Sequence, residues 1–315
     1  MLTRPAKGFN LSVAGHNIDL EIFADWLEAS ALFSDADVSA GDIVDFLLDE
    51  ALYTSQDFAW EFMDNVFSTI TVRSILMGDN YPFYVRHGSR LVRKDDWRAF
   101  APYSFCLALS LSQTYPTWAS SFGKNYTRQG ELFEALTAES MTAHYIGWTV
   151  KNTGWTRTTP KKINQIVAEV SDWLGEATGE ITTWTRAQAN EAGLDLLCFR
   201  PYSDFRGGFP SFLVQCASGK DWKDKLKTPD LRIWTKIVTF SNDPKKAFSM
   251  PFALSQKDFI FHGNLVDGLL LDRCRLLAPA PNAAQWASAT ISNDLVDWLE
   301  TRIPSLPVAD NALII

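Results

Sequence analysis

Residues 193–227 decide how the rest of this chain is interpreted, and they read GLDLLCF (193–199), RPYSDFRGG (200–208) and FPSFLVQCASGKDWKDKLK (209–227). Two apolar runs, Leu194–Phe199 and Phe212–Val214, flank a polar connection that is rich in glycine. This pattern is typical of a β-hairpin with a long loop. Each run carries one polar residue, Asp195 near the start of the first and Gln215 at the end of the second. We expect the two side chains to face the same side of the hairpin.

A cluster of lysines follows the hairpin directly, at Lys220, Lys223, Lys225 and Lys227. An acid, an amide on the adjacent strand and a nearby lysine can together bind Mg²⁺ and polarise a phosphodiester. An aspartate at the start of an apolar strand is costly unless it has a partner, so Asp195 is the strongest candidate ligand. Gln215 can ligate through its side-chain oxygen, but it supplies no charge.

The segments GLDLLCF and FLVQCASGKDW resemble the core of the PD-(D/E)XK superfamily, the restriction-endonuclease-like nucleases. The nearest analogues are type IV restriction enzymes, in which glutamine replaces the glutamate of the motif. The resemblance implies an α/β (α+β) fold, in which a helical N-terminal region precedes a restriction-endonuclease-like core with a mixed central sheet flanked by helices. It also implies DNA as the substrate, Mg²⁺ (or Mn²⁺) as the cofactor, and the backbone carbonyl of Cys216 as a further metal ligand.

A second carboxylate is expected on the segment ELFEALTAESMTAHYI (131–146), which predicts a largely buried helix. Glu134 lies on an apolar stripe of that helix, where a carboxylate is costly unless it binds a cation or a donor. The resembled nucleases often carry an acid on the helix before the sheet, and there it completes the metal site. A capping or solvated glutamate near the helix start is the plainer interpretation. Spacing alone does not separate Glu134 from Glu139.

The chain departs from the family pattern at Ala217, because the motif lysine should stand two residues after Gln215. A long lysine side chain from a neighbouring turn or helix can bring the same charge to the scissile phosphate. Lys225 is the favoured substitute and Lys220 the second. Lys223 is interpreted as a phosphate contact. A nuclease fold that had lost its activity would show the same departure.

Charge is distributed unevenly along the 315 residues, whose formal net charge is −8. Residues 1–64 hold 13 acidic and 2 basic residues, a balance of −11, whereas residues 121–315 hold 21 of each. Basic residues of the second part could follow phosphates, although a solvated helix face is the better explanation of their clustering taken by itself. The candidates for nucleic-acid contacts are Lys161, Lys162, Lys223 and Lys227.

Composition narrows the class of protein further. The four cysteines lack metal-ligand spacing, and the four histidines are dispersed, which argues against a zinc site and a histidine-based triad. No apolar run approaches the roughly 18–20 residues that a membrane span needs. The first residues lack the apolar segment of a signal peptide, so we expect a cytoplasmic protein with reduced, buried thiols.

Helical spacing of apolar residues predicts a helical, acidic N-terminal domain at 1–122, followed by a nuclease domain at 123–315. The N-terminal helices are predicted at Asp19–Ser30, Ala40–Tyr53, Ser55–Ile75 and Trp97–Ser112. A strand is expected at Ala247–Leu254 and an amphipathic helix at Pro281–Ile303, while Asp230–Phe240 fits either a helix or a strand.

The sequence therefore favours a Mg²⁺-dependent DNA endonuclease, and the resemblance suggests a role in bacterial restriction or anti-phage defence. A protein partner on the acidic N-terminal domain and a homodimer are further expectations, with no membrane contact. The second hypothesis is a catalytically inactive nuclease fold that binds nucleic acid or assembles a defence complex. A third is an unrelated helical protein whose strand pair is only structural.

Overall fold

The computed structural model describes residues 1–9, 18–34, 37–123, 126–153, 161–184, 192–204 and 206–309. The chain forms a helical first part and a second part built around a mixed sheet. The elements of the first part are α1 (Leu20–Phe33), β1 (Val38–Ser39), α2 (Ala40–Asp49), α3 (Gln56–Met77), β2 (Phe83–Arg86), β3 (Arg90–Arg93), α4 (Ala101–Thr114) and α5 (Pro116–Ser121).

Capping side chains begin the first helices where the sequence predicts. Asp19 accepts hydrogen bonds from the backbone N–H of Glu21 (3.0 Å) and Ile22 (3.1 Å), which satisfies two free donors at the start of α1. Ser39 does the same for Asp42 N at the start of α2 (3.2 Å). The predicted helices of this region are confirmed with small shifts of their ends, and 79–95 forms the β2–β3 hairpin.

The second part alternates helices with strands. Its elements are α6 (Thr127–His144), β4 (Thr149–Asn152), α7 (Ile163–Leu174), β5 (Ala177–Thr178), α8 (Ile181–Trp184), β6 (Leu196–Phe199), β7 (Ser211–Cys216), α9 (Leu231–Ile237), β8 (Val238–Thr239), β9 (Lys245–Ser249), α10 (Gln256–Val266), β10 (Gly268–Leu271), α11 (Arg273–Leu276) and α12 (Ala289–Glu300).

Five of these strands make the central sheet, in the order β10-β9-β7-β6-β4. The pairs β4–β6 and β6–β7 are antiparallel, whereas β7–β9 and β9–β10 are parallel. The sheet is therefore mixed, and the hairpin predicted from residues 193–227 lies at its centre as β6 and β7. This confirms the predicted α/β class with a mixed central sheet flanked by helices.

Side chains alternate between the two faces of the central strands, so the sheet separates two apolar layers. Leu196 and Val214 pack with α6 and with the helical first part on one face. Leu197 and Leu213 pack with α7 and α9 on the other. One hydrophobic core therefore contains residues of both parts, and α6 packs against the sheet and against α12. The division into domains at residues 122 and 123 stays a prediction.

Some element boundaries differ from those expected from the sequence. The strand expected at Ala247–Leu254 is observed as β9, Lys245–Ser249. The helix expected at Pro281–Ile303 is limited to α12, because Ser288 provides the N-cap by accepting from Ile291 N (3.2 Å). Asp230–Phe240 resolves into the short helix α9 and the two-residue strand β8.

Two buried arginines hold the acidic side chains of α1, and one of them, Arg273, joins the second part of the chain to the first. Arg273 of α11 donates to both carboxylate oxygens of Asp25 on α1, at 2.8 and 2.9 Å. Arg73 of α3 donates to Asp25 (2.8 Å) and to Glu28 (2.6 Å). Burial alone would raise the pKa of Asp25, but the charges of Arg273 and Arg73 outweigh it and lower the pKa to about 2. Asp25 is therefore a buried anion held by two cations.

The second carboxylate of this ion network is Glu28, which accepts from the hydroxyls of Tyr81 and Tyr103, each at 2.6 Å. Burial raises the pKa of Glu28 even though Arg73 opposes the shift. The surrounding hydrogen bonds satisfy its oxygens, which is the condition for burying a charge at tolerable cost.

In the described part of the chain, none of the helices combines the length and apolar character that crossing a bilayer requires.

Substituting Arg273→Met should unfold the protein at much lower denaturant concentration, because it leaves Asp25 and Glu28 buried with one cation instead of two. We expect a loss of about 3–5 kcal/mol in the free energy of unfolding. The matched control is Arg90→Met, which breaks the exposed pair with Asp37 and should cost less than about 1 kcal/mol. Urea denaturation measures both, and equal losses would contradict a central role for the network.

Candidate active site

Asp195 and Gln215 stand directly opposite each other at the end of the β6–β7 pair. The register aligns Leu196 with Val214, and the ladder extends one residue further because Asp195 N donates to Val214 O (2.9 Å). Gln215 Nε2 donates to Asp195 Oδ2 at 2.5 Å. The sequence-based expectation that the two side chains face the same side is therefore confirmed.

Cys216 supplies a second donor to the same carboxylate. Its backbone N–H donates to Asp195 Oδ2 (2.6 Å), and its carbonyl accepts from Gln215 Nε2 (3.1 Å). The thiol itself is not a ligand candidate, because burial raises its pKa well above the usual range and the Asp195 and Glu134 charges raise it further, with Lys225 opposing. The contribution of Cys216 to the site is its main chain.

The other end of the Gln215 amide is fixed by Thr228. Thr228 Oγ1 lies 3.0 Å from Gln215 Oε1 and 2.7 Å from the carbonyl of Lys225. Gly193 closes this corner with φ +72°, and a Cβ there would lie 2.7 Å from Thr228 Cβ and 3.1 Å from Gln215 Oε1. The glycine that opens the hairpin is therefore required both by its backbone conformation and by the space that its neighbours need.

Glu134 reaches the same region from α6. Asn152 at the end of β4 donates to Glu134 Oε2 (3.3 Å), and Asn152 is the ladder partner of Leu196, next to Asp195. Glu139, which the spacing left equivalent, has a different role. It accepts from Ser288 N (2.7 Å) and Ser288 Oγ (2.6 Å) at the start of α12. The structure thus separates a structural glutamate from one at the candidate site.

A cavity of about 600 Å³ brings the predicted site residues together. Those that line it are Glu134, Asp195, Gln215, Cys216, Lys220 and Lys225. One wall is the edge of the sheet with the loop that follows β7. The other wall is formed by α5, α6 and the end of α12. All six residues predicted to be catalytic or metal-binding therefore line one open cavity.

The four lysines that follow β7 fall into two groups: Lys220 and Lys225 line the cavity, whereas Lys223 and Lys227 do not. Lys220 lies in a turn after β7, and Lys225 ends a short 3₁₀ helix, Trp222–Lys225, rather than beginning an α-helix. Lys223 points elsewhere, with its Nζ 5.5 Å from the centre of the Trp222 ring.

The remaining predicted phosphate contacts do not line the cavity. Lys227 is exposed beside the site. Lys161 forms an ion pair with Glu169 (2.8 Å), and the backbone of Lys162 begins α7 by donating to Gln165 Oε1 (2.9 Å). Both residues precede a helix on the opposite face of the sheet from α6. The structure therefore does not bring these lysines to the carboxylates.

Ala217 occupies the position of the motif lysine, and its surroundings explain why a lysine is absent. It is buried in an apolar cluster with Trp222, Leu226 and Phe248. A lysine there would have its charge buried next to the tryptophan ring, at a large desolvation cost. Trp222, which the lysine cluster surrounds in the sequence, packs the loop instead of standing free.

The donors at the site are oxygen atoms of the kind that bind Mg²⁺ or Mn²⁺. Among the residues that the structure describes, no group of three or more His, Cys, Asp or Glu side chains is placed to hold a metal ion. A cation would depend on the carboxylates of Glu134 and Asp195 together with two neutral oxygens, the Gln215 amide and the Cys216 carbonyl. The donor set fits a hard divalent cation, with modest affinity because only two donors are charged.

The orientation of the Gln215 amide is informative here. Its NH₂ group faces Asp195 Oδ2 and Cys216 O, and its oxygen faces Thr228. Without a cation this is the favourable arrangement, since the opposite one would place the Gln215 oxygen next to Asp195 Oδ2 and the Cys216 carbonyl oxygen. A cation between them would reverse the preference, and Thr228 Oγ1 can accept from the rotated NH₂ group.

Sequence reasoning missed several residues that shape the cavity. Thr228 and Asn152 hold Gln215 and Glu134, and Trp118 and Arg302 come from the distant helical wall. The Thr-Pro dipeptide after the lysines was the one local signal for a turn back to the strand ends.

Comparison of the chain with protein-family models, curated proteins and solved structures finds no match.

Replacing Gly193 by alanine should perturb the site more than the backbone strain alone would. The strain of a left-handed alanine costs about 1–2 kcal/mol. Gly88→Ala is the control, because Gly88 has φ +67° but open space around the added Cβ. In urea denaturation we expect Gly193→Ala to lose more free energy of unfolding than Gly88→Ala. Equal losses would mean that Thr228 and Gln215 are not tightly packed against this glycine.

Proposed function

We propose that this protein is a metal-dependent endonuclease that hydrolyses phosphodiester bonds in DNA with Mg²⁺ or Mn²⁺. One observation carries the proposal: Asp195, Gln215, Glu134 and Lys225 line a single cavity at the edge of the central sheet. The mixed sheet with helices on both faces is also what the resemblance to restriction-endonuclease-like nucleases implies. A place in bacterial restriction or anti-phage defence rests on that resemblance alone, and a homodimer or a protein partner stays a prediction.

The residues divide the work of such a reaction among them. Glu134 and Asp195 hold the cation, and the amide oxygen of Gln215 and the carbonyl of Cys216 complete its contacts with the protein. When bound, Mg²⁺ supplies neutralisation of the charge that develops on the phosphate and activation of the attacking water. The hydrogen bond from the backbone N–H of Cys216 keeps the Asp195 carboxylate in one orientation before any substrate enters. This preorganisation reduces the rearrangement needed during the reaction.

Lys225 provides the mobile positive charge. It is exposed and lines the cavity. Its charge also opposes the rise that burial causes in the pKa of the Cys216 thiol. Its backbone carbonyl lies 2.7 Å from Thr228 Oγ1, the residue that also contacts Gln215. A lysine anchored beside the metal-binding amide can extend its ammonium group toward a phosphate. It thus replaces the side chain that Ala217 lacks.

The second candidate is a catalytically inactive protein of the same fold that binds nucleic acid or assembles a defence complex. Ala217 is the observation that favours it, because the strand position of the motif lysine is committed to an apolar cluster. The presence of two carboxylates and an amide in one cavity supports hydrolysis instead, since these oxygens are the kind of donors that hold a divalent cation.

Incubation with supercoiled plasmid and with circular single-stranded DNA tests the proposal. In Mg²⁺ or Mn²⁺ the wild-type protein should cleave at least one of them, and EDTA should stop cleavage. Asp195→Asn keeps the acceptor for Cys216 N but removes the charge, and should lower the rate by at least about 100-fold. Asp224→Asn, an exposed carboxylate of the same loop, is the control. DNA binding without cleavage in either metal would support the inactive protein.

The two candidate lysines can be separated by the same assay. Lys225→Met should lower the cleavage rate by about 100-fold or more, because it removes a charge that stabilises the transition state. Lys223→Met should have an effect of less than about ten-fold, as expected for a peripheral phosphate contact. A larger loss in Lys220→Met than in Lys225→Met would assign the motif role to Lys220.

A further inference from the structure

The helical wall of the cavity carries four aromatic side chains beside an arginine. It is contributed by Trp118 of α5, Phe122 after it, Tyr126 at the start of α6, and Trp298 and Arg302 at the end of α12. The rings of Trp118 and Phe122 meet edge to face with centroids 5.7 Å apart, and Trp118 Nε1 donates to the carbonyl of Arg302 (3.2 Å). The helical first part contributes Trp118 and Phe122 to this wall, and the second part contributes Tyr126, Trp298 and Arg302.

Tyr126 is the ring that packing does not explain. Tyr126 is 55 % exposed although it lines the cavity, whereas Trp118 is only 7 % exposed. A large aromatic ring left open to a cavity that also holds carboxylates and lysines is a stacking surface. Aromatic rings that neighbour phosphate-binding charges are the common means of holding unpaired bases, because every base has a π-face.

Arg302 provides a cation on the same wall. Its guanidinium lies 3.8 Å from the Trp298 ring centre and 4.8 Å from that of Phe122. Its hydrogen bonds go to Trp298 O (2.8 Å) and Thr301 Oγ1 (2.9 Å), and it has no ion pair with a carboxylate of the described residues. Stacking fixes the plane of the guanidinium, which suits recognition of a phosphate.

Two further features indicate that a ligand belongs in this space. Gln113 of α4 lines the cavity, and its Nε2 is buried without a hydrogen-bond partner in the part of the chain that the structure describes. Gly130 lies in α6, one turn before Glu134, and an added Cβ would meet nothing within 4 Å. A helical glycine is disfavoured relative to alanine, and no protein atom requires this one. The unpaired donor and the open space are both explained by an occupant.

We propose that the strand reaching Asp195 is single-stranded DNA, with an unpaired base stacked on Tyr126 and a phosphate held by Arg302. This inference rests on the proposed function and specifies its substrate. A cavity of about 600 Å³ has the size of a small-molecule pocket and accommodates a nucleotide unit. In a duplex the bases stack on each other and do not offer their faces to a protein ring, so an aromatic wall inside the cavity selects for unpaired strands.

Fluorescence anisotropy with a labelled DNA oligonucleotide tests this binding without cleavage when Ca²⁺ replaces Mg²⁺. The single strand should bind at least about ten-fold more tightly than a duplex of the same sequence. Tyr126→Ala and Arg302→Met should each weaken single-strand binding by about ten-fold. Tyr84→Ala removes a ring of similar exposure outside the cavity and should leave binding unchanged. Duplex binding as tight as single-strand binding would overturn the proposal.

Gly130 gives a second variant that does not depend on the folding of the Arg302 variant. Gly130→Ala and Gly130→Leu both favour the helix, but only leucine projects far into the cavity. We expect Leu to abolish single-strand binding and Ala to preserve it; tight binding by both variants would contradict occupancy of this space. Single-strand binding with the expected sensitivity, but no cleavage in Mg²⁺ or Mn²⁺, would refute hydrolysis and leave the binding site standing. Cleavage of DNA with a preference for the duplex would support hydrolysis and refute the proposed single-strand site.

Discussion

The interaction on which this molecule depends is the buried ion network around Asp25 and Glu28. Arg73 reaches these carboxylates from the same part of the chain and Arg273 from the second part, and the side chain of Arg273 has no exposed surface. Such a network adds little net stability over an apolar core, but breaking it is costly. Its value lies in specificity, because only one docking of the first helices on α11 satisfies every charge. That docking also positions the helices that face the sheet edge.

The candidate site is built by this docking as much as by the hairpin. The sheet edge supplies Asp195 and Gln215, and α6 supplies Glu134, but the opposing wall comes from α5 and α12. Helix α6 connects the two, since its Thr137 contacts Ser249 of β9 (3.0 Å) while its Glu139 holds the start of α12. Charge and aromatic surface thus face each other across one cavity.

Local pattern was enough to predict the hairpin, because Asp195 and Gln215 interrupt apolar runs whose alternation sets their register. Local pattern was also enough to predict the first helices, whereas the mixed sheet was predicted from the resemblance. It could not separate Glu134 from Glu139, since both lie on the same helix and the difference is made by Ser288, 149 positions away. For the same reason the acidic excess of residues 1–64 did not reveal that Asp25 and Glu28 are buried with arginines that appear later in the chain.

The pairing of Asp25 with Arg273 spans 248 positions, and this has a consequence during synthesis. At the usual rates of translation, α1 leaves the ribosome roughly 10–50 s before α11 is made. During that interval Arg73 is the only one of the two arginines present beside Asp25 and Glu28, and the apolar face that α11 covers is open. The first helices must therefore wait in an incomplete state, exposed to chaperones and to aggregation, until the last part of the chain neutralises them.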